Sequence, residues 1–332
     1  MSSPAAVLSN SMDTNHSARG LLLPARLTLF AVVTVGCSAA RGLLHGRAVS
    51  VLALAAIAIA MWHGAYDHVH AEQVLARRVG RHWLPWFLCG YVALAGTTLL
   101  GWRLFPFASL LFFLGYSAWH FGTEPEQAAP RLATALPALA LGAVPIVAAC
   151  HWRPAAVTPV FMQMAQGSAD AHGLAKALGA GCWPVLAIAL GGIVSGLLGR
   201  SFLQRGELLA VTMLQIALFA LCDPLVAFAV YFCCWHTPEH LVTTSLPQTG
   251  GSTLGVSILH NLRSGLVPWI LSLIFLGAAF GLGRHEAASY QSEIFIVLSA
   301  LTVPHMALNE LSRWMPRASY PWQGRIPDRS IA

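Results

Sequence analysis

Cys222 to His240 read CDPLVAFAVYFCCWHTPEH, and the fold turns on how this stretch is divided. An apolar run starting at Pro224 ends on two histidines, His236 and His240, four residues apart. Residues 208–222 are apolar as well, so without a break at Asp223-Pro224 residues 208–241 form one helix far longer than a bilayer needs. Proline lacks the backbone donor that a helix interior requires, so Pro224 divides the run by a turn or a sharp kink. That division decides on which side of a membrane every later residue falls.

The rest of the chain has the same character. Of its 332 residues, 56% are hydrophobic and only 10% charged, with a mean hydropathy of +0.64. A water-soluble surface cannot be built from such a composition, so the solvent for most of this chain is lipid. Apolar runs, read against Arg, Pro and Gly punctuation, fall at about 24–40, 48–66, 84–102, 105–122, 132–150, 182–199, 208–222, 224–241, 266–283 and 293–310. The expected architecture is all-α, a polytopic membrane bundle of about eight to ten helices spanning residues 21–312. A polar tail precedes it (residues 1–20) and an Arg- and Pro-rich tail follows it (313–332). Residues 151–181 are too polar to span and read as a loop with one interfacial helix.

The chain carries 19 Lys and Arg against 13 Asp and Glu. The basic residues gather in the tails and in the loops after even-numbered segments, which predicts cytoplasmic termini and excludes a nucleic-acid footprint. The seven cysteines lack Cys-x-x-Cys spacing and read as small buried hydrophobes. Gly192/Gly196 and Gly277/Gly281 have helix-packing spacing, which ordinary helix contacts explain equally well.

Ionisable side chains inside spanning segments are costly to bury, so each is a functional candidate. Five histidines qualify: His63 in WHGAYDH, His120 in SAWHFG, His236 and His240 in CWHTPEH, and His305 in VPHMALNE. Each follows a run of apolar residues, and all lie near the C-terminal ends of even-numbered segments. They are therefore expected at one membrane face, provided the chain breaks at Pro224. His236 and His240 share a helix side, the spacing by which one helix gives two ligands to one metal. Asp67, four residues after His63, is placed to orient a ligand imidazole through its second nitrogen. Imidazole suits iron, zinc, copper and nickel alike, and oxygen chemistry favours iron.

At these residues the chain resembles the Brp/Blh family, bacterial membrane β-carotene 15,15'-dioxygenases that make retinal for microbial rhodopsins. The motifs that carry the resemblance are His-Gly-x-x-Asp-His from His63, Ser-x-x-His-Phe-Gly from Ser117, Trp-His-x-x-x-His from Trp235 and Pro-His-Met from Pro304, in family order. The resemblance implies a multi-pass inner-membrane enzyme that uses Fe(II) and O2 to cleave β-carotene into two all-trans-retinal, which a rhodopsin then receives. It implies iron ligands at His63, His120, His236 and His240, with His305 as a pocket or supporting residue. Trp62, Trp119, Phe121 and Trp235 are then candidate walls of a polyene tunnel. Pro238, between the paired ligands, must kink or end their helix. Paired histidines on facing helices also suit a haem-binding electron carrier, the main alternative. A di-iron desaturase needs more histidine boxes than the one present here, and a proton-relay transporter needs histidines spread through the membrane depth.

Overall fold

The computed structural model describes residues 24–40, 47–123, 132–198, 201–238, 254–282 and 290–314. Those residues form helices and short connections, with no strand among them. Helix α1 is Pro24–Ala40, followed by α2 (Arg47–Ala60), a 3-10 stretch (Met61–Tyr66), α3 (Asp67–Val79), α4 (Trp83–Leu104), α5 (Pro106–Thr123) and α6 (Leu132–Trp152). Then come α7 (Pro154–Met164), α8 (Ala169–Ala180), α9 (Cys182–Val194), α10 (Phe202–Leu221), α11 (Pro224–Tyr231) and a π-helical turn (Phe232–His236). Helices α12 (Leu254–Leu282) and α13 (Tyr290–Trp314) complete the bundle.

The break that decides the topology is built from local chemistry. Helix α10 ends as Cys222 turns extended (φ −106°, ψ 165°). Asp223 then caps a new helix, its Oδ1 accepting from the Leu225 amide at 2.9 Å, with Pro224 in the first helical position. Carboxylate cap and N1 proline together start a helix cleanly, because the missing proline donor is one the first turn leaves unpaired anyway. Ser201 starts α10 in the same way through a reciprocal capping box with Gln204.

Helices α6 and α13 are the centre of the bundle and α4 its edge. More than half of the apolar span of α6 (56%) and of α13 (61%) is buried, against none of that of α4. The exposed Leu84, Trp86, Leu88 and Val92 of α4 make an apolar face that suits lipid. The closest packing joins α5 to α6. A Cβ on Gly142 would lie 1.8 Å from the Ala118 carbonyl oxygen, and one on Gly122 the same distance from that of Ala138. Only glycine lets these two backbones approach so closely.

Four of the described helices are long and apolar enough to cross a membrane alone, and five if α8 and α9, bent by 48°, make one broken span. This is fewer than the ten apolar runs, because several runs fold into shorter pieces. The run at 48–66 leaves the α-helix at Met61 for a 3-10 stretch, and the run at 182–199 ends as a helix at Val194. The stretch 151–181, expected to be a loop with one interfacial helix, forms two helices, α7 and α8. Amphipathic α3 was not expected, and α13 extends through Trp314, taking Arg313 out of the expected tail.

Candidate metal centre

His63, His120, His236 and His305 meet in the bundle interior, none more than 4% exposed. Their rings form a closed circuit. Centroids are 5.1 Å apart for His63–His236, 5.5 Å for His236–His120, 5.5 Å for His120–His305 and 5.0 Å for His305–His63, all nearly edge-on. His240 lies outside the described residues.

Each ring is held by its own element. His63 sits in the 3-10 stretch, where its Nδ1–H donates to the Ala60 carbonyl at 2.7 Å. A carbonyl only accepts, so Nδ1 carries the proton and Nε2 the lone pair. Asp67 does not turn toward His63, because the 3-10 winding between them removes the α-helical i, i+4 relation. Its Oδ1 instead accepts from Nδ1–H of His305 at 2.6 Å, across 238 residues of sequence. That contact again leaves the lone pair on Nε2, where the Asn309 amide nitrogen approaches to 3.1 Å. His236 ends the π-helical turn. The Thr237 amide there reaches back to the Phe232 carbonyl, a winding that relieves the helix just before Pro238, whose ring would collide with a regular preceding turn. Thr237 Oγ1 and Cys233 Sγ donate to the Ala60 and Ala56 carbonyls at 3.1 and 2.8 Å, tying α11 to α2.

His120 is fixed through α5. One turn on, the Thr123 hydroxyl accepts from Arg313 at 2.6 Å, while Trp119 donates to Glu310 at 3.0 Å and Arg313 binds Glu310 at 2.5 Å. This partly buried polar knot joins the end of α5 to α13, which carries His305.

The residues fit a metal in their donor chemistry, since imidazole is a ligand that iron, zinc, copper and nickel all take. Two imidazoles bound side by side on one ion, with nitrogens at about 2.0–2.1 Å, have centroids roughly 4.5–5.2 Å apart. The observed circuit lies at or just beyond the upper end of that range. Among the described residues no three His, Cys, Asp or Glu side chains close into a complete metal-holding set as they stand.

An apolar cavity of about 130 Å³ opens from the circuit, lined at one end by all four histidines. Phe121 is among its lining residues. Trp62, Trp119 and Trp235 are not among its lining residues. Trp62 donates to the Tyr66 hydroxyl and packs on Trp269, Trp119 serves Glu310, and Trp235 packs on Phe30 beneath the Arg26 guanidinium. The walls are phenylalanines instead, among them Phe113, Phe161, Phe228, Phe232 and Phe295. Their signal in the sequence was a helical stripe ending on each histidine: 113, 117, 120 on α5; 225, 228, 232, 236 on α11; 291, 295, 298, 302, 305 on α13. A second cavity of about 30 Å³ lies between His63, Tyr91, Ser272, Thr302 and His305, large enough for a water-sized molecule.

A family model described as "Beta-carotene 15,15'-dioxygenase" matches residues 54–313, which takes in every histidine of the circuit. The chain belongs to the β-carotene 15,15'-dioxygenase family. It is thereby an enzyme, an oxygenase of carotenoid cleavage. A β-carotene 15,15'-dioxygenase from the uncultured marine bacterium 66A03 is 30% identical over 258 residues, covering 75% of this chain and 88% of that protein. No solved structure matches the chain.

Proposed function

We propose that this protein is a membrane-embedded iron dioxygenase that cleaves the central 15,15' double bond of β-carotene with O2, giving two molecules of all-trans-retinal. One observation carries the reading: a circuit of four buried imidazoles stands at the end of an apolar, phenylalanine-walled cavity. His63, His120 and His236 would hold the ion, with His240 as the expected fourth ligand and His305 on the remaining side of the circuit. Fe(II), when bound, supplies the one-electron chemistry by which O2 reacts with a closed-shell double bond.

The chain's own residues do the rest. A carotenoid is dissolved in the bilayer, and lipid-facing helices receive it without passing it through water. The cavity walls bind the polyene by apolar contact and keep water from the reacting carbons. The Ala60 carbonyl and the Asp67 carboxylate keep the protons of His63 and His305 on Nδ1, which leaves the lone pair of each ring on Nε2, that of His305 accepting from the Asn309 amide. The inner membrane, with both termini cytoplasmic, is the location that the distribution of arginines supports. Retinal released there is available to a rhodopsin in the same bilayer.

Expression in a β-carotene-producing bacterium tests the reading. The colour should fade and retinal accumulate, and both effects should vanish in His120→Ala. Undiminished colour with normal protein levels, or a purified protein with a strong haem Soret band, would contradict it.

A further inference from the structure

The cavity has a length as well as a chemistry. Lining residues of α11 with its π-helical turn, and of α13, run in the same direction, each set beginning remote from the histidines and closing on one. Pro224 starts the first stripe and His236 ends it; Gln291 starts the second and His305 ends it. At 1.5 Å per residue these separations are roughly 18 and 21 Å. Phe219, on the last turn of α10 just before the Cys222–Asp223 break, lines the same cavity and is 3% exposed. The remote end is thus marked by Phe219, Pro224 and Gln291.

One arm of β-carotene, from its central bond to the far edge of its ring, is about 15 Å of extended carbon chain at ordinary bond lengths. We infer that the cavity holds one arm of the carotenoid and measures it, with Phe219, Pro224 and Gln291 as the stop, so that the bond reaching the histidines is the central one. The inference rests on the proposed function. A symmetric substrate needs only one arm measured, because the second follows from the first and extends past the histidines. In the reaction the C15=C15' bond breaks, each carbon gains one oxygen atom of O2, and the two aldehydes are identical. Were the arm seated one or two double bonds higher or lower, the same balance would give two carbonyl products of unequal length.

Shortening the cavity tests this. The contacts of Gly122 with Ala138 and of Gly142 with Ala118 show that α6 runs antiparallel to α5. Ala149, on the wall, is therefore about level with residue 111, nine residues or roughly 13 Å below His120. Ala149→Phe puts a ring there, and Phe219→Ala removes the stop. Val92→Phe, on the lipid face of α4, is the control. Products from β-carotene are separated by chromatography and identified by mass.

Ala149→Phe should move cleavage by one or two double bonds, and Phe219→Ala should turn a single product into a mixture, while Val92→Phe keeps retinal alone. If Ala149→Phe fails to fold or to turn over, Phe219→Ala decides: mixed products sustain the ruler and retinal alone overturns it. Retinal as the sole product of a folded Ala149→Phe, at wild-type kcat/KM, also overturns it. Absence of retinal from the wild type would instead defeat the proposed function before either variant is read.

Discussion

The two ends of the cavity are built on different principles. At the histidine end, directional bonds do the holding: Ala60 on His63, Asp67 and Asn309 on His305, Thr237 and Cys233 across to α2, and the Arg313–Glu310–Trp119–Thr123 knot. At the remote end, Phe161, Phe219 and Leu225 are held by packing alone. Hydrogen bonds to ring nitrogens fix a tautomer and an angle, which a metal site requires. Packing fixes only shape, which is enough to seat an apolar arm. Geometry for chemistry and volume for recognition are thus separated along one cavity.

Substitutions can break that separation or sharpen it. The largest effect is expected for His236→Ala, which should abolish retinal formation at normal protein level and strip iron from the purified enzyme. Gly142→Leu comes next: with no room between α5 and α6, its side chain must part the two helices and displace His120, lowering the melting temperature sharply along with activity. Asp67→Asn, which acts on His305 beside the ion and not on a ligand, should leave the melting temperature of the metal-free protein close to wild type and weaken metal affinity by less than about 10-fold, read by titration. Phe161→Ala should do the converse, costing about 3 kcal/mol of stability in chemical unfolding while leaving iron content unchanged. Val92→Ala on the lipid face should fall within about 0.5 kcal/mol of wild type by the same assay. If Asp67→Asn unfolded the protein, or Phe161→Ala emptied the metal site, the division of labour would be wrong.

Much of this was legible in the sequence because it is periodic or local. Pro224 after Asp223 is a helix start written in two residues, and an apolar run closing on a histidine marks a helix end near the site. The placement of His63, His120, His236 and His305 together follows from counting such runs. Long-range and non-α features were not legible. The contact of Asp67 with His305 depends on a 3-10 stretch that no residue between them announces, and on a partner 238 residues away. The choice of phenylalanines over Trp62, Trp119 and Trp235 as walls was missed because tryptophan beside histidine draws attention, while the Phe stripes look like ordinary core. Helix α3 was overlooked, and one interfacial helix was expected where α7 and α8 form two, because short amphipathic helices resemble polar loops when hydropathy alone is followed.

The most direct test measures iron and product on the same purified sample. Wild-type protein reconstituted anaerobically with Fe(II) and given β-carotene and O2 should hold one iron per chain and release two retinal per carotene consumed, and His120→Ala should lose both together. Full retinal formation by a protein that holds no iron, or by His120→Ala, would contradict the account.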